Sequence, residues 1–324
     1  LTDAQMGAVL GIDRTPWIRG EKEEPELLAA VHPHDISAPL WLPESILADF
    51  KALSFTGTPN RLSKAQVNWE IIGSATQWSA KILPGNETQF KNQLWPPMVS
   101  AECPDNAEIL IRKRRSGQTY DPTGSIPVGR FMAILDKTLP RNHALPFDGF
   151  PLRANCHLLI FAHRVIGLDP GLYFLIRDPD DHAQLKKQMH PHFMWEEVSA
   201  GFPLYRLESA DLRQEAILIS CHQEIAGESA FCIGMIARFR PVLKKDPAMY
   251  KRLFWEAGLI GQVLYLEAEA AGLRGTGIGC FFDDEVHDLL GLTDDTFQSL
   301  YHFTIGKPLA DDRIVTLPAY AHLG

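Results

Sequence analysis

One stretch of the chain repeats its apolar residues at helical spacing more clearly than any other. Met249, Leu253, Ala257, Ile260, Leu264, Ala268 and Ala271 form a single stripe. Asp246 stands at the cap, Pro247 in the first turn and Gly272 just past the end. A helix of about 25 residues there spans about 37 Å. Gly258 and Gly261 lie inside it, each costing about 1 kcal/mol relative to Ala. Their presence implies a close approach to that backbone, by a neighbouring helix or by a flat ligand.

Short apolar runs mark strands at CHLLIFAHRV (156–165), GLYFLIRD (171–178), EAILISCH (215–222) and LYHFTIG (300–306), with GLDPG as the turn between the first two. Helical pattern fills the region around 223–239. Asp105 is placed to cap a helix running into a basic stretch, and Ser125 another through Phe131, Ile134, Leu135 and Leu139. Strands mixed with long helices, without a regular βαβ repeat, make the fold class α+β.

Residues 1–100 read differently. Five of the seven tryptophans (Trp17, Trp41, Trp69, Trp78, Trp95) fall here, and Ser63 with Gln66 has capping-box spacing. Val67, Ile71, Ala75, Trp78 and Ile82 then follow as one apolar stripe. The simplest expectation is that this stripe docks on the rest of the molecule; a lid over a substrate is the second. LWPPMVS (94–100) reads as a linker. The division expected is a helical N-terminal extension, 1–100, and a main domain, 101–324.

Composition narrows the function. The chain has 45% hydrophobic and 22% charged residues and a formal net charge of −9. That balance argues against general polyanion binding, which needs a basic face. The five cysteines (Cys103, Cys156, Cys221, Cys232, Cys280) are scattered, odd in number and without a C-x-x-C pair. They suggest neither a disulfide framework nor a zinc site, and so a cytoplasmic setting. MGAVLGI is too short for a signal peptide or a membrane span, and a start at Leu1 suggests a fragment. His32-Pro-His34 and His190-Pro-His192 lack further ligands nearby, so no metal site is expected. Asp180-Asp181 reads as a solvated turn. GTGIGCFFDDE (275–285) has the wrong glycine spacing, and the wrong preceding element, for a dinucleotide loop. It reads as a loop with N–H groups available to a ligand, then an acidic helix start at Asp283–Glu285.

RKRRSGQTYD (112–121) sets Arg112, Lys113, Arg114 and Arg115 side by side in this acidic chain. A solvated helix end, a nucleic-acid patch and a cradle for a small anion are all compatible with the run alone. Arg114 and Ser116 together suit an oxyanion, a guanidinium fork beside a hydroxyl donor.

Taken with the rest of the chain, RKRRSGQTYD resembles the opening motif of the nitroreductase superfamily of FMN-dependent α+β oxidoreductases. GLDPGLYFL resembles a segment of its SagB-type branch, which includes azoline dehydrogenases. YKRLFWEAGLIGQVLYLEAEAAGL resembles the central helix. GTGIGCFFDDEVHDLLGL and FTIGKPLADDR resemble the flavin-facing loop and the closing strand. The likeness covers about residues 100–324. It implies a mixed central sheet flanked by helices, with FMN phosphate held by Arg114 and Ser116 and with Arg115 between them. Gln118 stands where relatives carry a cation near the flavin's pyrimidine edge. Gly279 and Cys280 match the loop approaching flavin N5, where the second position is commonly Gly. Lys307 and Arg313 match the closing segment more loosely, and Asn155 is a candidate for a polar residue before the first strand. Azoline dehydrogenases use a Lys-Tyr pair near the central helix; Tyr250-Lys251 offers the pair in reversed order.

The resemblance therefore implies an FMN oxidoreductase passing hydride through flavin N5. It is either a SagB-type dehydrogenase of a small-molecule or modified-peptide substrate or an NAD(P)H-dependent nitro- or quinone reductase. A homodimer with flavins at its interface is expected, and no nucleic-acid or membrane partner. The rivals are a flavin-free pseudoenzyme that binds a partner, as Gln118 and Cys280 suggest, and a nucleic-acid binder using the basic run.

Overall fold

The computed structural model describes residues 1–15, 17, 22–28, 44–57, 65, 67–80, 95, 103, 105–142, 144–149 and 153–323. The chain divides into two compact units, Leu1–Asn86 with Asp246–Met249, and Glu87–Lys245 with Tyr250–Gly324. Ser63, Gln66, Trp41, Ile82, His32, His34 and all of the 94–100 linker except Trp95 lie outside the described residues.

The first unit contains α1 (Asp3–Leu10), α2 (Glu44–Ala52) and α3 (Glu70–Trp78). Thr2 and Gln5 close a capping box on α1, and Gly11 ends it at φ +72°. Arg14 holds α1 and α2 together: its guanidinium donates to the carbonyls of Phe50 (3.3 Å), Lys51 (2.9 Å) and Leu53 (3.0 Å). Val67, Ile71 and Trp78 are exposed at 72%, 70% and 77%; the apolar period is there, but no facing surface covers it among the described residues.

The second unit runs α4 (Ala107–Lys113), β1 (Ile126–Pro127), α5 (Val128–Asp136), β2 (Cys156–Ala162), β3 (Val165–Ile166), β4 (Gly171–Leu175), α6 (His182–Gln188), β5 (Glu196–Ser199) and β6 (Phe202–Ser209). It continues through α7 (Arg213–Ile219), α8 (Ile225–Glu228), β7 (Phe231–Arg238), α9 (Arg240–Lys245), α10 (Met249–Ala270, whose first residue belongs to the other unit), β8 (Arg274–Ile278), α11 (Asp283–Leu290) and β9 (Phe297–Gly306). Seven strands form one sheet in the order β5-β6-β4-β2-β7-β9-β8. The α+β class stands. The strand pairings in this sheet are antiparallel, and the short β1–β3 pair beside it is parallel.

Each strand of the sheet centre feeds two cores. Leu158 and Ile160 point to the side covered by α5 and α10, where Phe131, Leu135, Leu253, Ile260 and Leu264 meet them. Leu159 and Phe161 point to the other side, against Leu185, Ala216, Ile219, Val286 and Leu290. Burial on both faces explains the largest error of the sequence reading. Residues 231–237 are continuously buried, so β7 has no alternation, and its apolar run reads as readily as helix. The opposite error falls on 215–222, expected as a strand. α7 buries Ala216 and Ile219, three apart, and leaves Leu218 exposed. Residues 274–278 form an edge strand rather than the start of a loop. Asn106, not Asp105, caps α4, accepting from the Ile109 N–H at 3.0 Å. Ser125 caps nothing; Pro127 precedes α5. Gly272 does follow α10, at φ +71°. Within this chain a Cβ on Gly261 would meet the strand side chain Tyr301 at 3.3 Å, and one on Gly258 would meet nothing within 4 Å.

Cys221 and Cys280 form a disulfide, which the spacing of 59 residues did not disclose. The end of α7 and the turn after β8 bring them together, so the cysteine pattern no longer argues for a reducing compartment. Among the described residues no helix is long and apolar enough to cross a membrane.

Two histidines are buried as neutral rings. Burial lowers His302 from 6.5 to about 4, and burial foremost does the same for His163. Between about pH 6.5 and 4 the unfolded chain binds protons on both that the folded chain refuses. Stability is expected to fall as pH falls through that window, by at most ~1.4 kcal/mol per pH unit for each ring. Asp121 and Asp211, both held at about 2 by side-chain hydrogen bonds from Thr123 and Arg213, lose their contribution from about pH 5 downward and mostly below pH 4. Denaturant midpoints measured from pH 7.5 to 4 check this; a flat profile down to pH 4.5 contradicts it.

Candidate active site

The motif segment 114–121 leaves α4 and is threaded between two parts of the sheet. Ser116 bridges Gly275 in β8, and the Gly117 N–H donates to the Gly275 carbonyl at 3.0 Å. On its other side Tyr120 bridges Pro308, the Asp121 N–H donates to the Lys307 carbonyl (2.8 Å), and the Leu309 N–H donates to the Thr119 carbonyl (3.1 Å). Tyr120 locks the crossing. Its ring fills the space where a Cβ on Gly117 or Gly306 would come within 2.5 or 2.6 Å. Its hydroxyl lies 3.1 Å from the Arg274 carbonyl, 3.2 Å from Thr276 Oγ1 and 3.3 Å from the Thr304 carbonyl. Burial pushes its pKa up to about 12, so it remains a donor.

The four cations separate on this frame. Arg112 pairs with Glu108 one turn back at 3.1 Å, and Lys113 reaches Asp105 at 3.5 Å and Glu269 at 3.7 Å. Arg115 turns its guanidinium inward to the carbonyls of Arg112 (3.0 Å), Arg114 (2.8 Å) and Leu317 (2.9 Å). Arg114 differs. Among the described residues its guanidinium has no hydrogen-bond or ion-pair partner, and it lies 4.4 Å over the ring of Tyr265 from α10. The Tyr265 hydroxyl is 3.0 Å from Ser116 Oγ and accepts the Gly277 N–H at 3.0 Å. Ser116 itself is exposed.

The remaining expected residues spread outward from this group. Gln118 is exposed on the same strap. Lys307 is paired with Asp121 at 3.1 Å and Arg313 with Asp311 at 2.7 Å. Gly279 and Cys280 are exposed just beyond β8; Gly275 to Cys280 covers at most about 17 Å. That turn is held by the Cys221–Cys280 disulfide, by Gln223 Nε2 on the Cys280 carbonyl (3.3 Å) and by Phe281 stacked on His302 (4.6 Å). Asn155 is buried; its amide donates to the Arg153 carbonyl at 2.8 Å and its N–H to Glu256 at 3.0 Å. Tyr250, 38% exposed, makes edge contacts with Phe239 and Phe254, and Lys251 is half-buried. Tyr250 lies about 22 Å along α10 from Tyr265. The structure therefore unites Arg114 and Ser116 and leaves Tyr250-Lys251 at the other end of the helix.

Sequence reasoning missed Tyr265 and Tyr120. Tyr265 sits one position from the apolar stripe and was available as a hydroxyl on the seam. Tyr120 stood inside the quoted motif, but its burial is a property of the threading.

Against known proteins, the model of the nitroreductase family matches residues 111–307. That is more than half of the chain, which therefore belongs to this family. Among solved structures, a protein of Anabaena variabilis named as a nitroreductase is 24% identical, with a TM-score of 0.49, over 62% of this chain and 38% of its own. A similarly named protein of Ralstonia eutropha is 15% identical, with a TM-score of 0.47, over 70% and 93%. The E. coli microcin synthetase McbBCD, solved with truncated pro-MccB17 bound, is 15% identical, with a TM-score of 0.46, over 69% and 80%. This chain thus spans well under half the length of the Anabaena protein. No curated protein matches.

Replacing Tyr120 by Phe removes the one hydroxyl proton that the Arg274 and Thr304 carbonyls and Thr276 Oγ1 surround. The expected loss is about 1–3 kcal/mol of folding stability, read as a lower denaturant midpoint at unchanged slope.

Proposed function

We propose that this chain is an FMN-dependent oxidoreductase whose cofactor phosphate is held by Arg114 and Ser116. One observation carries the reading: of four adjacent cations, Arg114 alone keeps its guanidinium unpaired among the described residues, beside an exposed hydroxyl. A guanidinium fork and a hydroxyl fit a phosphate monoester, which carries about −1.5 to −2 charge and three acceptor oxygens. Bound flavin would supply two-electron hydride chemistry, which side chains cannot. Arg115 shapes the strap by holding carbonyls. Lys307 and Arg313 reach the phosphate only by leaving Asp121 and Asp311, so they contribute second. Gly279 and Cys280 offer backbone N–H groups to the ring end, and Gln118 offers an amide rather than a cation.

The finer assignment is a homodimeric SagB-type dehydrogenase of a small-molecule or modified-peptide substrate, supported by the GLDPGLYFL segment. An NAD(P)H-dependent nitro- or quinone reductase is the second reading, favoured by the place of Tyr250-Lys251 away from Arg114. A dehydrogenation needs a group to accept the proton released as hydride departs, and Tyr250 or Lys251 is proposed for it.

Apo-protein titrated with FMN tests the cofactor. Arg114→Ala is expected to weaken binding about ten- to a hundredfold, and Ser116→Ala by less. A wild-type protein that takes up no FMN supports the pseudoenzyme instead, and unchanged affinity in both variants moves the phosphate elsewhere. The second test follows flavin reduction by substrate. Tyr250→Phe is expected to slow it about a hundredfold with FMN affinity intact. Wild-type rates in both Tyr250→Phe and Lys251→Ala favour direct reduction by NAD(P)H.

A further inference from the structure

The two donors proposed for the phosphate share one neighbour. The ring of Tyr265 lies 4.4 Å under the Arg114 guanidinium, and its hydroxyl stands between Ser116 Oγ and the Gly277 N–H, 3.0 Å from each. The Gly277 N–H can only donate, so the phenol oxygen accepts there. The phenol proton then has one oxygen among the described residues to go to, Ser116 Oγ. If Ser116 donated inward instead, the phenol proton would have only solvent to go to. With one of its two lone pairs occupied from within, Ser116 is free to turn its own proton outward, to the exposed side.

We infer that Tyr265 is a positioning residue for an oxyanion. Its hydroxyl passes hydrogen-bond polarity from Gly277 through Ser116 to the anion, and its ring holds the Arg114 fork over the same place by cation–π attraction. The inference rests on the flavin reading for the identity of the anion, the phosphate of FMN. The ring depends in turn on the sheet: it packs edge-on to Phe303 at 4.7 Å, and a Cβ on Gly275 would meet it at 3.3 Å. Tyr265 is therefore fixed before any ligand arrives, and a preorganised donor pair loses less freedom on binding.

The test compares FMN with riboflavin, which lacks the phosphate, on apo-protein of the wild type, Tyr265→Phe and Tyr265→Leu. Tyr265→Phe keeps the ring and removes the relay. It is expected to raise the FMN Kd about two- to tenfold while leaving riboflavin unchanged. Tyr265→Leu removes the stacking face as well and is expected to raise the FMN Kd about ten- to a hundredfold. In a Ser116→Ala background, Tyr265→Phe is expected to add nothing, because the relay has lost its end. A merely structural role would weaken FMN and riboflavin together. Unchanged riboflavin-to-FMN ratios in both Tyr265 variants overturn the inference and leave the flavin reading standing. A wild type that binds neither FMN nor riboflavin overturns both.

Discussion

A buried carboxylate sets the register between α10 and the sheet. Glu256 lies on the sheet side of the helix and accepts the N–H groups of Asn155 (3.0 Å) and Cys156 (3.3 Å) at the start of β2. It also pairs with Arg177, which is itself buried just past β4. Arg177 in turn donates to the carbonyls of Thr138 (2.7 Å) and Cys156 (2.8 Å) and lies over the Phe147 ring. Removing two charges from water costs several kcal/mol per ion unless nearly every donor and acceptor finds a partner. The helix can slide by a turn only by breaking that set. Nine residues further along α10, the same register delivers Tyr265 to β8, where its hydroxyl accepts the Gly277 N–H.

Pairing of backbone groups also holds the segment that carries Arg114 and Ser116. The strap from Arg114 to Asp121 has neighbours on both sides, β8 and residues 307–309, and its backbone groups are engaged there. Cations that meet a carboxylate or a row of carbonyls are absorbed by the fold. Arg114 meets an aromatic face instead, which attracts the charge without occupying its N–H donors. That difference is what the proposed phosphate site rests on.

How far this was legible depended on what each residue needed. The α10 stripe and its closing Gly272 were plain, because a helix of this length repeats its signal many times over and its left-handed stop calls for glycine. β2 and β4 were legible as short apolar runs between turn residues. β7 was not, because a strand covered on both faces loses the alternation that identifies it. α7 was not, because its Ala-Ile-Leu-Ile run is short enough to satisfy either period. Among the site residues, Arg114 and Ser116 were visible as a pair of donor types. Their separation from Arg112, Lys113 and Arg115 was not visible, since it depends on partners as distant as Glu269 and Leu317.

The sequence by itself determined the class of fold, the central helix, and the type of chemistry available at 114–116, because these depend on local period and on the functional groups themselves. Tertiary structure decided which of four cations has no paired guanidinium among the described residues, that Tyr265 stands beneath it, that Cys221 meets Cys280, and that Tyr250 lies at the far end of the helix. Those are relations between segments tens to about two hundred residues apart. They follow from how strands order themselves in the sheet and how buried polar groups find partners, and no local pattern encodes either.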